Sequence, residues 1–482
     1  MLNSSPSKAR NYLYYLLLLA VFGLGIWFIL ATGSKLNSPR PSASSPNESI
    51  SVNTSSSTAT GSATRQTYLG RVFKENFRNP LSILLLQIIV IILVAKLFAE
   101  LFRRLGQPPV MGEMVAGIVL GPSVVGLISP QTMAFLFPPA SMATLGLLSQ
   151  IGVVLFMLVV GMELDVQHLR EKASAAVMVS HASIVVPFFL GTSLSLVLYP
   201  VLAPANTSFT AFALFMGIAM SITAFPVLAR ILEDRGLTQT RLGSIAIACA
   251  AVDDVTAWCL LAIVIAIAKS NGLGASAVTI VLVILFIGTM LFLVKPRIES
   301  LIRVEKERHS KGLLAGILAF VFACALITES IGIHALFGAF LAGVVMPSDA
   351  GFRLFLKEKL EAFSSTALLP LFFAFTGLRT QIGLINDWFG WLTCLGIIFV
   401  AVAGKLGGST LVARWTNMSW RDSLSIGILM NTRGLVELVV LNIGYDLGIL
   451  SARIFAMMVI MALFTTFMTS PLISLLQPKR SL

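Results

Sequence analysis

An all-α bundle of membrane-spanning helices is the fold class this sequence predicts, and three observations predict it. Fifty-six per cent of the 482 residues are hydrophobic and only 12% are charged. Mean hydropathy is +0.90, outside the range of soluble globular domains. Apolar segments of about 20 residues recur along the chain, each long enough to cross a bilayer at about 1.5 Å per residue. In its full form the expectation is a 13-helix core of two inverted six-helix repeats with discontinuous helices, preceded by an N-terminal leader helix.

The leader comes first. Lys8 and Arg10 precede an apolar run from Tyr12 to Ala31, longer than the core of a secretory signal peptide. Residues 1–33 therefore read as a leader anchor, retained in preference to cleaved. Residues 34–78 turn to Ser, Thr, Asn and Pro, a composition that cannot bury a core, and read as a linker. The membrane domain is expected over 79–477 and a short tail over 478–482.

Thirteen apolar segments follow, centred on Ile89, Val119, Val153, Val185, Met220, Asp254, Ile284, Ala319, Ala339, Leu371, Val400, Met430 and Leu463. Alternate loops on one side, with the C-terminus, carry 20 Lys and Arg, among them Arg103, Arg104, Arg170, Lys172, Lys479 and Arg480. The opposite loops carry three, Lys269, Arg379 and Arg453. The positive-inside rule then puts the C-terminus in the cytoplasm, and the leader crosses outward from a cytoplasmic N-terminus. Arg65, Arg71, Lys74 and Arg78 fall on the outer side, which a long segment tolerates. The net charge of +12 is thus a matter of loops and implies no nucleic-acid partner. Cys249, Cys259, Cys324 and Cys394 all lie inside predicted helices, without metal or disulfide spacing.

Thirteen divides as six, one linking helix and six, so the second six are inverted relative to the first. Transporters built this way bind near the midplane, where discontinuous helices meet. The fifth segment carries Ser221-Ile-Thr223-Ala-Phe-Pro226 and the equivalent twelfth carries Gly427-Ile-Leu-Met-Asn431-Thr432-Arg433-Gly434. Pro226 has no N–H to offer the Ile222 carbonyl, and the Ser221 and Thr223 hydroxyls lie in the same turn. These are oxygen ligands suited to a hard monovalent cation. A plain proline kink with back-bonded hydroxyls is the structural alternative, and the matching break in the other half argues against it.

Asp253 and Asp254 sit near the middle of the sixth segment, about 100° apart around their helix, so one faces a cavity while the other meets a neighbour. At a helix centre each costs roughly 2.5–3.5 kcal/mol on an insertion scale, so a structural role alone is hard to justify. Such a carboxylate holds either a proton or a cation, and competition for one place is itself an exchange mechanism. Lys405, flanked by Gly404, Gly407 and Gly408 in the eleventh segment, is the counter-charge, with snorkelling to the interface as its alternative. Arg433 and Glu437 are four apart and positioned to pair. Glu113, Glu163 and Asp165, near cytoplasmic ends, are candidates for drawing cations toward a funnel. His181 and His334 are candidate pH sensors, although a lone membrane histidine is more often a packing residue.

With these residues stands a set of motifs: Gly106-Gln-Pro-Pro-Val-Met-Gly-Glu113, Gly161-Met-Glu163-Leu-Asp165, Ser221 to Arg230, the Asp253–Asp254 pair, Gly338 to Gly343, Gly377-Leu-Arg, Gly404-Lys405 and Met430 to Leu438. Together they resemble the monovalent cation:proton antiporter-2 family of the sodium/proton antiporter superfamily, over Gln107 to Ser474. The fifth and twelfth segments are especially similar to plant-type cation/proton exchangers and their bacterial relatives. The resemblance implies a homodimer in a lipid bilayer, with a dimerisation domain and a mobile core whose crossed helices flank the ion. It implies Na+ or K+ and protons as partners, no cofactor, and a place in a bacterial inner membrane. Asp254 would be the principal carrier, with the cation at Asp254. Asp253 would pair with Lys405 when no ion is bound. Plant-type relatives often have Asn at the first acid, so Asp253 implies more than one proton per cation. Relatives often carry a large C-terminal regulatory domain, whereas about eight residues follow the last segment here, so gating through such a domain is not expected.

Other classes fit less well. An intramembrane aspartyl protease needs its acids on different helices, and a potassium channel needs a carbonyl filter loop that is missing from the sequence. The expected function is secondary active exchange of a monovalent cation for protons, not an enzyme, with proton-coupled transport of another small solute as the alternative.

Overall fold

Proline and glycine set the helix ends. Pro80, Pro109 and Pro226 stand in first turns, where a missing N–H costs nothing. Gly106 closes the first core helix with φ +73°, and Gln107 N donates back to Phe102 O at 2.9 Å, which only a left-handed residue at that place permits. The computed structural model describes residues 6–36, 79–163, 173–205, 207–238, 240–269, 273–305 and 311–477. Most of the 34–78 linker with Arg65, Arg71, Lys74 and Arg78, and also Asp165, Arg170, Lys172, Lys479 and Arg480, lie outside the described residues.

The described residues are all-helical. The leader is α1 (Pro6–Gly33), and the first half comprises α2 (Pro80–Arg104), α3 (Pro109–Leu120), α4 (Pro139–Glu163), α5 (Ala173–Leu202), the broken α6a (Phe209–Ser221) and α6b (Phe225–Asp234), and α7 (Arg241–Lys269). Linking helix α8 starts with Leu273–Gly288 and continues through a π turn. The second half comprises α9 (Lys311–Ile331), α10 (Ala335–Val344), α11 (Leu369–Arg379, preceded by the amphipathic Ala350–Phe363), α12 (Trp388–Val402, continued through a π turn to Trp415), the broken α13a (Trp420–Met430) and α13b (Leu435–Asp446), and α14 (Ala452–Leu476). Every one of the thirteen predicted core segments has its helix. The ninth differs in length: α10 has 10 residues, about 15 Å, too short to cross a bilayer alone. Gly332 (φ +95°) and Pro347 bound it.

The helices sort into two bundles. Helices α2, α3, α4, α9, α10 and α11 pack with one another, as do α5, α6, α7, α12, α13 and α14, and α8 runs between them. Each bundle takes three helices from each half, as inverted repeats require. In the first bundle α3 crosses α11 and α10 crosses α4, two crossings that are equivalent under the repeat. Both are backbone on backbone. A Cβ on Gly117 would strike the Phe373 carbonyl and one on Gly377 would strike Gly117. At the second crossing, a Cβ on Gly161 would strike the Phe340 carbonyl and one on Gly343 the Leu158 carbonyl.

Leader α1 lies against the second bundle. Tyr15 meets His181 edge-on at 5.5 Å and Phe22 meets Phe189 at 5.1 Å, while Ile29 is buried. Its other face exposes Leu17, Val21, Leu24 and Phe28, as a lipid-facing helix does.

Gly161→Val and Gly377→Val, each forcing a branched side chain onto facing backbone, are expected to cost about 1–3 kcal/mol through overpacking. The Tm of the solubilised protein should fall by several degrees. Gly396→Val, with no neighbour near its Cβ, should leave it unchanged.

Candidate ion site at the crossed helix breaks

The two breaks are built against each other. Helix α6a stops at Ser221 and α6b restarts at Phe225, leaving Ile222, Thr223 and Ala224 extended, with Pro226 in the first turn of the second half. Helix α13a stops at Met430, and Asn431, Thr432, Arg433 and Gly434 lead into α13b. Ala224 N donates to Thr432 O at 3.0 Å and the Thr223 hydroxyl to Met430 O at 3.1 Å, so each break satisfies backbone that the other leaves open. Gly434 allows the approach: a Cβ there would lie 2.7 Å from Val227 Cγ2 and 3.2 Å from Ala224 Cβ.

Two basic side chains close the C-terminal end of α6a. Lys405 Nζ reaches the Ser221 carbonyl, Ser183 O at 3.1 Å, Ser183 Oγ at 3.0 Å and Asp253 Oδ2 at 3.0 Å. Arg433 donates from Nη1 to Ala219 O at 2.8 Å and to Glu437 Oε2 at 2.9 Å, and from Nη2 to Met220 O at 2.6 Å. Three successive carbonyls that the break strips of helical partners thus each meet a cation, which also complements the negative end of the helix dipole. Glu437 sits in the first turn of α13b, where an N-terminal dipole favours an anion. The backbone of Arg433 is fixed in turn by Thr466, which accepts from its N at 3.0 Å and donates to its O at 2.8 Å.

Asp253, Asp254, Lys405, Arg433 and Glu437 are all fully buried. Their pairing is unequal. Lys405 takes Asp253 and Arg433 takes Glu437, so among the described residues Asp254 has no cationic partner, and neither of its oxygens makes a hydrogen bond. Asp253 Oδ1 and Asn431 Oδ1 are also buried without a hydrogen bond. A carboxylate enclosed in this way is sustained only when something neutralises it. Three acids against two bases leave room for one positive charge, a proton or a monovalent cation.

Around this centre the remaining candidates fall unevenly. The Ser221 hydroxyl donates to Gly217 O at 2.7 Å and Ile184 O at 3.0 Å, so it is spent on backbone, and the carbonyl of Ser221 is what enters the charge cluster. The Thr223 hydroxyl lies beside Asp253. Thr432 Oγ1 donates to Thr469 Oγ1 at 3.5 Å. Lys405 lies within a π turn, Ala403–Gly407, rather than snorkelling, and its flanking glycines admit α5: a Cβ on Gly404 would lie 2.9 Å from Pro187 Cα, and one on Gly408 would lie 2.9 Å from Val186 Cβ. Glu113 is buried in α3, apart from the cluster, and Glu163 is held by Lys357 at 2.8 Å. His181 Nδ1 bonds Val177 O at 2.8 Å, and His334 caps α10. Ser183 and Thr466 had not been singled out from the sequence. Their only signal is a hydroxyl inside an apolar segment, which many helices share.

Two cavities lie on opposite faces, both between the bundles. One, of about 790 Å³, is lined by Ile265, Lys269, Glu329, Ile333, Arg379 and Asp446 among others. The other, of about 440 Å³, is lined by Arg103, Gln107, Arg230, Asp234, Arg235 and Ser470 among others.

Comparison with known proteins agrees with this architecture. The family model described as sodium/hydrogen exchanger, transmembrane, matches residues 89–476. The chain belongs to the sodium/hydrogen exchanger family. Within it, the Na+/H+ antiporter NhaS4 of Synechocystis sp. is 45% identical over 403 residues, covering 83% of this chain and 98% of that relative. Cation/H+ antiporter 17 of Arabidopsis thaliana is 41% identical over 411 residues, covering 84% of this chain and 50% of the plant protein, so the chain spans about half that relative's length. The sodium proton antiporter MjNhaP1 from Methanocaldococcus jannaschii, solved at pH 8, shares the fold: the TM-score is 0.57 at 16% identity, over 80% of this chain and 94% of that one. The expected family and the expected fold, inverted repeats with broken crossed helices, are both borne out.

In this exchanger-family fold, Arg433→Ala is expected to destabilise strongly, by about 3–5 kcal/mol, because it leaves Glu437 an unpaired buried charge and strips two carbonyls. Adding Glu437→Gln should recover part of the lost Tm, since the carbonyls remain open but the stranded charge is gone.

Proposed function

We propose that the chain is a secondary active antiporter that exchanges a monovalent cation, Na+ or K+, for protons by alternating access, and so serves ion and pH homeostasis. One observation carries the reading: Asp254 is the buried carboxylate left over when Lys405 and Arg433 have taken their partners. A proton or a cation neutralises it, and the two compete for the same oxygens. Asp253 is the second acid. A cation that also draws on Asp253 weakens the hold of that acid on Lys405, which couples the counter-charge to ion occupancy. Thr223, Asn431 and the carbonyls of the breaks are the further oxygen ligands, while Ser221 contributes through its carbonyl.

The cavities on opposite faces support alternating access, since both lie on the boundary between bundles, where relative motion opens one and closes the other. Two copies are proposed to assemble through the α2-containing bundle, as the family pattern suggests. The positive-inside count supports a cytoplasmic C-terminus, and the Synechocystis relative supports a bacterial membrane.

In proteoliposomes with an internal pH dye, Asp254→Asn is expected to abolish cation-induced pH change, and full activity in that variant would sink the assignment. Asp253→Asn and Lys405→Ala should retain a measurable fraction, with altered voltage dependence. Competition also fixes a pH sign. As pH falls, protons displace the cation, so the apparent KM for cation rises about tenfold per pH unit in the limit of simple competition for one site. An apparent KM independent of pH would contradict a shared carboxylate.

A further inference from the structure

Asp254, Trp258, Leu261, Ile265 and Lys269 are spaced four, three, four and four residues apart on α7, so they form one stripe down one face of the helix. The stripe starts at the unpartnered carboxylate and ends in the larger cavity, which Ile265 and Lys269 line. Ile265 is about 16 Å along the axis from Asp254, and Trp258 lies about 6 Å from it, between the acid and the cavity floor. Trp258 is 1% exposed. Its ring stacks on Phe340 at 5.8 Å between centroids with the planes 28° apart.

Phe340 belongs to the other bundle. It sits on α10, five residues beyond Ala335, and Ala335 lines the same cavity. Both partners of the stack therefore lie below the cavity floor, one on the bundle that carries the acids and one on the bundle it faces. A tryptophan buried for packing alone normally finds an acceptor for its indole N–H, and this N–H makes no hydrogen bond. Nor is the ring locked to its own bundle by such a bond.

We propose that the Trp258–Phe340 stack is the gate between Asp254 and the cavity on the Lys269 face. While the rings are stacked, the two bundles are pinned together above the acid and the path along α7 is shut. Sliding of α7 against α10 parts the rings and opens that path, and the opposite cavity is untouched by the stack. This inference rests on Asp254 being the alternately reached carrier. Trp258 is a positioning residue here, acting on access and not on the ion itself.

The test is thiol accessibility in reconstituted full-length protein, with Cys249, Cys259, Cys324 and Cys394 replaced by alanine and Asp254→Cys introduced. A membrane-impermeant methanethiosulfonate is applied separately to each face. With Trp258→Ala or Phe340→Ala added, labelling from the Lys269 face is expected to rise about tenfold, the scale of losing an aromatic pair, and labelling from the opposite face is expected to stay unchanged. Trp258→Phe, which keeps a ring on Phe340, should label close to the parent rate, and labelling from the opposite face reports that each variant is folded. Equal rates from the Lys269 face in all backgrounds, or a rise on both faces together, overturn the gate while leaving the carrier assignment standing. Failure to label from either face in any background overturns the carrier assignment and the gate with it.

Discussion

The structure depends on how the cut end of α6a is held. A helix broken in mid-membrane exposes carbonyls that no solvent can satisfy there, each at a cost of several kcal/mol in hydrocarbon. Here Arg433 and Lys405 take Ala219, Met220 and Ser221 in succession. Those cations would themselves be intolerable at that depth without acids, and Glu437 and Asp253 supply them. The break, the bases and two of the acids thus form one interdependent set. Its residue is Asp254, the carboxylate that no cationic side chain pairs among the described residues.

The whole set lies within the second bundle, and inverted repeats build the first bundle beside it from the same topology. Glycine crossings, Gly117 on Gly377 and Gly161 on Gly343, hold the first bundle together through close backbone contact. The second bundle has close glycine contacts too, Gly191 on Met216 and Gly427 on Leu406, and adds to them the bonds between breaks and the charged cluster. The two halves of the sequence therefore build two bundles by one topology, and one of the two carries the buried ion pairs.

Much of this was legible in the sequence, for a physical reason. Hydrophobic runs, prolines and deep charges are local signals, so the thirteen segments, both breaks and the depth of Lys405 could be read directly. What escaped is long-range. The role of Arg433 as a cap for α6a depends on carbonyls more than 200 residues away, and the ion pair of Glu163 depends on Lys357, 194 residues away. The hydroxyl of Ser221 reads as a ligand from composition, and only packing against α5 shows it turned onto Ile184 and Gly217. The shortness of α10 follows from Gly332 and Pro347, which bound it, and the ninth segment's centre at Ala339 carries no such length.

The opposed cavities have an electrical consequence. The cavity on the Lys269 face reaches α7 at Ile265, about 16 Å along the axis from Asp254, so a charge passing between that cavity and the acid crosses packed protein and with it part of the transmembrane voltage. A charge carried through that packed layer works against the voltage that falls across it, up to about 2.3 kcal/mol per elementary charge per 100 mV. Whether Asp254 travels bare or neutralised therefore decides how much of a cell's voltage each cycle consumes or harvests.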